Sequence, residues 1–295
     1  MTVSEDAASR FARLRAEGGW FSLRDVARFA VTGSDRLRYL NGQVSNDLRK
    51  LHPGEAMQAC ILSAKGRLDG VLWLWAEPER IVVEADARLA EALAMRLERY
   101  VVADDVEIAP LSFGAEIHVF GAAAESVTKN PGARKIARLR QPGVDLPFAT
   151  MDDFLEATPD EIERLRIECG VPRWGAELGA ETLPAEAGLD TTAVDFHKGC
   201  YIGQEVVSRI KSVGHANRAL RVFELLAGSP PAAGTEFFLP GETDRAAATV
   251  TSVHFALSPA VGLCYIKRGT SEGAVLTTAA GDSQIQLRPF ESSHA

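Results

Sequence analysis

Apolar and polar residues change spacing several times along this chain, and each change marks an expected element. Residues 20–33 alternate loosely enough for strands. Ser34-Asp35 then offers an N-cap to a short helix carrying Leu37 and Leu40, and Asn41-Gly42 reads as a turn or a left-handed cap. Cys60-Ile61-Leu62-Ser63 predicts a strand that turns at Ala64-Lys65-Gly66-Arg67. Residues 71–76 and 81–85 are β-rich runs around Glu77-Pro78-Glu79-Arg80, which makes a hairpin. From Asp86, Leu89, Leu93, Leu97 and Tyr100 recur at helical spacing, with Arg and Glu on the other face. Residues 104–108 and 116–121 are further strands.

The stretch 129–147 is rich in Pro, Gly and Arg and reads as an exposed connection, with Arg134, Lys135, Arg138 and Arg140 in solvent and an anion-binding patch as the weaker alternative. Thr158-Pro159-Asp160-Glu161 is a helix start: a capping box, Pro at the first helical position, and acids at the positive end of the helix. Ile162, Leu165 and Cys169 line one face of that helix, Glu168 falls near the edge of the face, and Gly170 ends it. After Ile210 six short β-like runs follow, separated by Gly-Ser-Pro-Pro, Pro-Gly-Glu, Ser-Pro and Arg-Gly turns, as in a small antiparallel barrel.

At 295 residues, 46% hydrophobic and 24% charged, the composition is that of a globular protein able to bury a sizeable core. A net charge of −8 argues against a broad nucleic-acid-binding face. The four cysteines, Cys60, Cys169, Cys200 and Cys264, are far apart and show neither a disulfide framework nor zinc spacing, so no metal site is expected. The first fifteen residues lack the apolar segment of a secretory signal, and the apolar run 71–76 is far too short for a membrane span. The expectation is a cytoplasmic protein with no membrane partner.

The richest chemistry lies in Asp195-Phe196-His197-Lys198-Gly199-Cys200-Tyr201-Ile202-Gly203-Gln204-Glu205. Gly199 and Gly203 suit a tight loop that presents the thiol, and the cations before Cys200 would raise its thiolate fraction. A buried structural cysteine is the competing reading. Tyr201 is open between a core tyrosine and a stacking platform.

Residues 198–205, Lys-Gly-Cys-Tyr-Ile-Gly-Gln-Glu, resemble the signature of the YgfZ family, folate-binding relatives of the glycine-cleavage T-protein (aminomethyltransferase) linked to iron–sulfur cluster maintenance. Arg166-Ile167-Glu168-Cys169-Gly170 resembles that superfamily's Arg-Ile/Leu-Glu-Ala-Gly segment, and the likeness runs through Glu177 and Leu183-Pro184-Ala185-Glu186. The resemblance implies an α+β fold: T-protein-like N-terminal lobes with mixed and antiparallel sheets, residues 1–211, then a C-terminal β-barrel, residues 212–295. It implies tetrahydrofolate or a one-carbon derivative as cofactor, with Glu168 on the pterin edge, where a carboxylate accepts two N–H donors. Arg166, Tyr201, Gly199, Gly203, Gln204 and Glu205 complete the implied folate set, and Cys200, Lys198 and Asp69 the reacting set. Implied partners are iron–sulfur client enzymes, tRNA-modifying ones included, or cluster-assembly proteins, without direct nucleic-acid contact.

Two alternatives stand beside this reading. T-proteins carry an acidic pair where this chain has Arg67-Leu68-Asp69-Gly70, so Asp69 alone keeps aminomethyl transfer open. A cysteine-nucleophile hydrolase or transferase is weaker, because no base with its own orienting group is visible.

Overall fold

The computed structural model describes residues 6–148, 150–212, 214 and 216–288. It is an α+β protein whose three sheets are laddered antiparallel, with parallel pairing only in isolated bridges. Helix α1 (Ala7–Glu17) leads into β1 (Gly19–Ser22) and β2 (Val26–Thr32), then α2 (Arg36–Gln43), β3 (Met57–Leu62), β4 (Leu68–Glu77), β5 (Arg80–Asp86), α3 (Ala90–Glu98) and β6 (Glu107–Pro110). Strands β3-β4-β5-β2-β6 form the first sheet. Alternation along β4 sends Leu72 and Leu74 under α2 and α3, where they meet Leu40, Leu48, Leu93 and Leu97. Each such leucine contributes about 1.5–3 kcal/mol by leaving water. The same alternation turns Val71 and Trp73 to the opposite face.

Helix α2 starts after Asp35, as expected, but differs from expectation in its cap and at its far end. It starts at Arg36 without a side-chain cap, because Ser34 and Asp35 instead exchange hydrogen bonds with Asp105 across 70 residues of chain. It also continues through Asn41-Gly42, and the Asn41 side chain accepts the backbone N–H of Leu48.

Next come β7 (Ile117–Phe120), α4 (Ala122–Val127), β8 (Arg134–Lys135) and β9 (Gly143–Leu146), which join β1 in the order β1-β7-β9-β8. The stretch 129–147 is therefore not a solvated loop throughout: Lys135 stays exposed, while Arg134, Arg138 and Arg140 turn inward. Arg138 bridges Glu84 of the first sheet, at 2.6 Å, to Asp145 of the second, at 2.7 Å. Arg28 meets Glu84 at 2.7 Å, and His118 Nδ1 donates to Asp145 at 2.9 Å. Arg28 and Arg134 both lie against the Trp75 ring. Gly143 leaves room for His118, whose Nε2 would lie 2.6 Å from any added Cβ. Buried carboxylates drew these arginines inward, since an unpaired buried charge is far costlier than an ordered loop.

Helix α5 (Pro159–Glu168) starts with the expected capping box: Thr158 Oγ1 accepts from Glu161 N at 3.3 Å and Glu161 Oε2 accepts from Thr158 N at 2.8 Å. Helix α6 (Gln204–Ser212) follows the signature. The remaining strands, β10 (Arg218–Ala227), β11 (Glu236–Phe237), β12 (Ala248–His254), β13 (Val261–Lys267), β14 (Val275–Thr277) and β15 (Gln284–Leu287), order as β11-β12-β13-β10-β15-β14. Phe238 and Thr277 exchange N–H···O bonds of 2.7 and 3.0 Å, so the sheet nearly closes into a six-stranded barrel. No helix among the described residues is long and apolar enough to cross a membrane.

Candidate functional site

Lys198 is only 5% exposed, and its ammonium donates to three carbonyls, of Asn41, Val44 and Asn46, each at 2.7 Å. These lie at the carboxyl end of α2, where carbonyls lack helical partners and the helix dipole favours a cation. Burial pulls its pKa down to about 8. All three donors are committed to the backbone, so Lys198 works as a latch between the signature and α2 and not as a partner for the Cys200 thiol.

Tyr201 packs beside Cys60, Leu62, Leu68 and Leu189 in a buried cluster, with its hydroxyl lacking a hydrogen-bond partner. The core reading of Tyr201 is the one its surroundings fit. Cys200 is a free, exposed thiol, and nothing crowds Gly199 beside it. Gly203, at φ +85°, lies against the turn of Gly66: an added Cβ would meet Ser63 O at 2.6 Å. Gln204 and Glu205 open α6, and Glu205 pairs with Arg209 at 2.9 Å on the exposed surface.

A cleft of about 2080 Å³ opens between the face of the first sheet opposite α2 and α3, the second sheet's loop, α5 and β10 of the barrel. Its floor carries Gln58, Val71, Trp73 and Glu84, and its walls carry Arg138, Arg140, Glu163 and Arg166. The volume exceeds the 300–1,000 Å³ typical of a drug-sized ligand. Asp25 and Arg140, the two non-glycine residues with positive φ among those described (56° and 55°), both line it. Such backbone strain gathers at ligand sites. Burial pulls the Arg140 guanidinium down to about 10, and its Nη2 donates to Ala187 O and Gly188 O.

Of the ten residues expected at the site, Arg166 lines this cleft. It is fully engaged there: Nε and Nη2 fork onto Glu163 at 2.8 and 2.7 Å, Nη1 donates to Val171 O and Glu177, and Nη2 to Ser252 of β12. Glu168 is absent from the lining. Pro159, Ile162, Glu163 and Arg166 form the cleft face of α5, and at roughly 100° per residue Glu168 points about 180° away from them. There it meets Arg164 at 2.7 Å and Arg15 at 3.5 Å. Asp69 occupies the extra position of a bulge in β4 and pairs with Arg96 at 3.1 Å, also away from the lining. Signature residues 198–205 do not line the cleft either.

Sequence reasoning missed Trp73, Trp174 and Asp190, and it favoured solvent over an anion-binding patch for Arg138 and Arg140, which line the cleft. Asp190 follows the Leu183-Pro184-Ala185-Glu186 run that carries part of the family resemblance. Its neighbours hold it firmly. Leu189 is buried in the Tyr201 cluster, Thr191 Oγ1 donates to Gly188 O at 3.1 Å, and Thr192 Oγ1 donates to Gln58 at 2.7 Å. Burial raises the Asp190 pKa above its ordinary value. Among the described residues, no group of three or more His, Cys, Asp or Glu is placed to hold a metal ion.

No protein-family profile matches the chain. Among curated proteins it is 30% identical over 259 residues to the tRNA-modifying protein YgfZ of Yersinia pseudotuberculosis serotype O:1b, covering 78% of each chain. The same identity and coverage hold for that of Yersinia pestis strain Pestoides F. It is 29% identical over 224 residues to a mitochondrial iron-sulfur cluster assembly factor IBA57 homolog of Phaeosphaeria nodorum, spanning 69% of this chain and 54% of that one. The glycine cleavage system aminomethyltransferase T of Bartonella henselae superposes with a TM-score of 0.80 over 96% of this chain and 89% of its own, at 17% identity, which is a likeness of fold.

Proposed function

The chain belongs to the family of the tRNA-modifying protein YgfZ, and from that premise we propose that it binds a reduced folate in the central cleft and supports iron–sulfur clusters in client enzymes, tRNA-modifying ones among them. The cleft carries this reading. It combines two tryptophans, several arginines and room well beyond a folate within a T-protein-like fold. Tetrahydrofolate or a one-carbon derivative would lie against Trp73 and Trp174 with its carboxylates toward the arginines, and reduced folate is the source of any one-carbon chemistry here. Residues 1–211 supply most of the cleft and the 212–295 barrel closes one side.

The exposed thiol of Cys200 is the group within reach of a client enzyme or cluster-assembly partner. Its proposed work is thiol exchange. Aminomethyl transfer gains nothing from Asp69, whose carboxylate is held by Arg96 outside the cleft lining.

Calorimetric titration with tetrahydrofolate tests the binding half. Saturable one-site binding, with quenching of tryptophan fluorescence, is expected; a flat titration would retire the folate reading. For the cluster half, Cys200→Ser should keep folate affinity within twofold yet fail to restore iron–sulfur enzyme activity in cells lacking the protein. Full restoration by that variant would remove Cys200 from the mechanism.

A further inference from the structure

The signature stays outside the cleft, yet it is bonded to one wall of it. Residues 44–46, just past the end of α2, form a strap between the two. On one side the strap carries the signature loop. Lys198 Nζ donates to Val44 O and Asn46 O at 2.7 Å, the Asp195 N–H donates to Ser45 O at 3.0 Å, and Ser45 Oγ donates to Ala193 O at 2.6 Å. On the other side the strap shapes the cleft. Asn46 lines it and donates from Nδ2 to Gln58 O at 2.9 Å, while Gln58 Oε1 accepts from Thr192 Oγ1 at 2.7 Å. Gln58 stands directly across the β3–β4 pair from Trp73. Asn46 therefore gives its side chain to the cleft wall and its carbonyl to the signature lysine.

This joint is stiff. Lys198 is buried and has three acceptors for its three donors, so a shift of Asn46 leaves an ammonium proton unpaired away from water, which costs more than a neutral hydrogen bond. Asn46 and Lys198 move together or not at all. At the other end of the loop, Gly203 is seated on the Gly66 turn and Tyr201 in the core, while nothing crowds Gly199 between them. The Cys200 thiol thus lies between an anchored end and an end whose position the cleft wall sets. We propose that Lys198 is a positioning residue for the cleft: it holds Asn46, and through it Gln58 and Trp73, in place for a ligand. The filled cleft and the Cys200 loop are then coupled, and coupling between two sites is reciprocal. This rests on the folate reading and adds a condition to it, namely that occupancy of the cleft is felt at the thiol.

Titration of wild type, Lys198→Met, Asn46→Ala and the double variant with tetrahydrofolate tests this. Each single variant should weaken binding by about 5–20-fold, because the ligand must then order the wall itself. The double variant should be no weaker than the weaker single one, since Lys198 acts through Asn46. Leu276→Ala opens a cavity in the barrel core away from the cleft lining. It loses stability without touching the joint, so its affinity should stay within about twofold of wild type. A second measurement needs no variant: saturating tetrahydrofolate should slow alkylation of Cys200 by iodoacetamide, read from the mass of its peptide, by about threefold or more. If wild type binds and Lys198→Met matches it within about twofold, or the two losses multiply in the double variant, or the Cys200 rate ignores the ligand, the positioning role falls and the folate reading stands. If wild type binds no tetrahydrofolate, both fall.

Discussion

At the scale of single residues, the signature lysine is a case where chemistry and position part company. A cation two residues before a cysteine suggests thiol activation, yet three carbonyls at the end of α2 absorb the ammonium of Lys198 completely. Lys198→Met keeps most of the packing volume and strips the three carbonyls of their donor. Urea unfolding should show a loss of about 2–4 kcal/mol. Lys198→Arg should not restore it, because a planar fork does not direct three donors onto converging carbonyls. A loss below about 0.5 kcal/mol, as for an ordinary surface change, would remove the latch from the account. Glu168 teaches the companion lesson. Its residue type and its helix were legible in the sequence, but the direction of its side chain depended on where α5 seats Glu163 and Arg166, which a single sequence does not disclose.

Elements were read best where their causes are local. The capping box of α5, the β4–β5 hairpin and the closely spaced turns of the barrel are decided within a few residues, and each stands where the pattern put it. Helix α2 starts where the pattern put it, but its cap was misread because Asp105 takes both capping candidates, and β8 and β9 were misread because Asp145, far from Glu84 in sequence, turns a Pro-, Gly- and Arg-rich stretch into a buried seam. The signature's second glycine is an element-scale device of the same kind. Gly203 holds a left-handed backbone and touches the Gly66 turn, so the start of α6 and the end of β3 are set against each other at backbone contact. Gly203→Ala should lower stability by about 1–3 kcal/mol, from strained backbone together with the clash on Ser63 O. A melting temperature unchanged by this substitution would mean that the two turns separate at little cost.

Across the whole molecule, the buried charge seam between the first two sheets should govern response to acid. Burial holds the His118 pKa below its ordinary 6.5 despite the bond to Asp145, so the unfolded chain takes up a proton that the folded chain refuses. Stability is therefore present above about pH 6.5 and declines below it. Burial pushes Asp145 and Glu84 up, but Arg138 and its neighbours outweigh burial and leave both below their ordinary 3.8 and 4.5, so a second loss follows as pH drops through that range. Urea midpoints measured from pH 8 down to about pH 2 should fall in two stages, and His118→Gln should flatten the first. A single late fall in wild type would exclude His118 as the early trigger. The fold class and the barrel were legible in the sequence because patterning and the family resemblance, specific at residues 166–170 and 198–205 and diffuse elsewhere, run nearly its full length. The cleft was not, since Trp73, Arg140, Trp174 and Asp190 are distant in sequence and meet only when sheets and helix are assembled. One shared side chain ties that assembly together. Arg166 spreads five hydrogen bonds over α5, the turn before Glu177 and Ser252 of the barrel, while Ser252 and Tyr265 return bonds of 2.5 and 2.8 Å to Glu177. A gene severed between α6 and β10 would encode two fragments that each inherit half of one polar knot, so neither is a ready-made building block for chimeras.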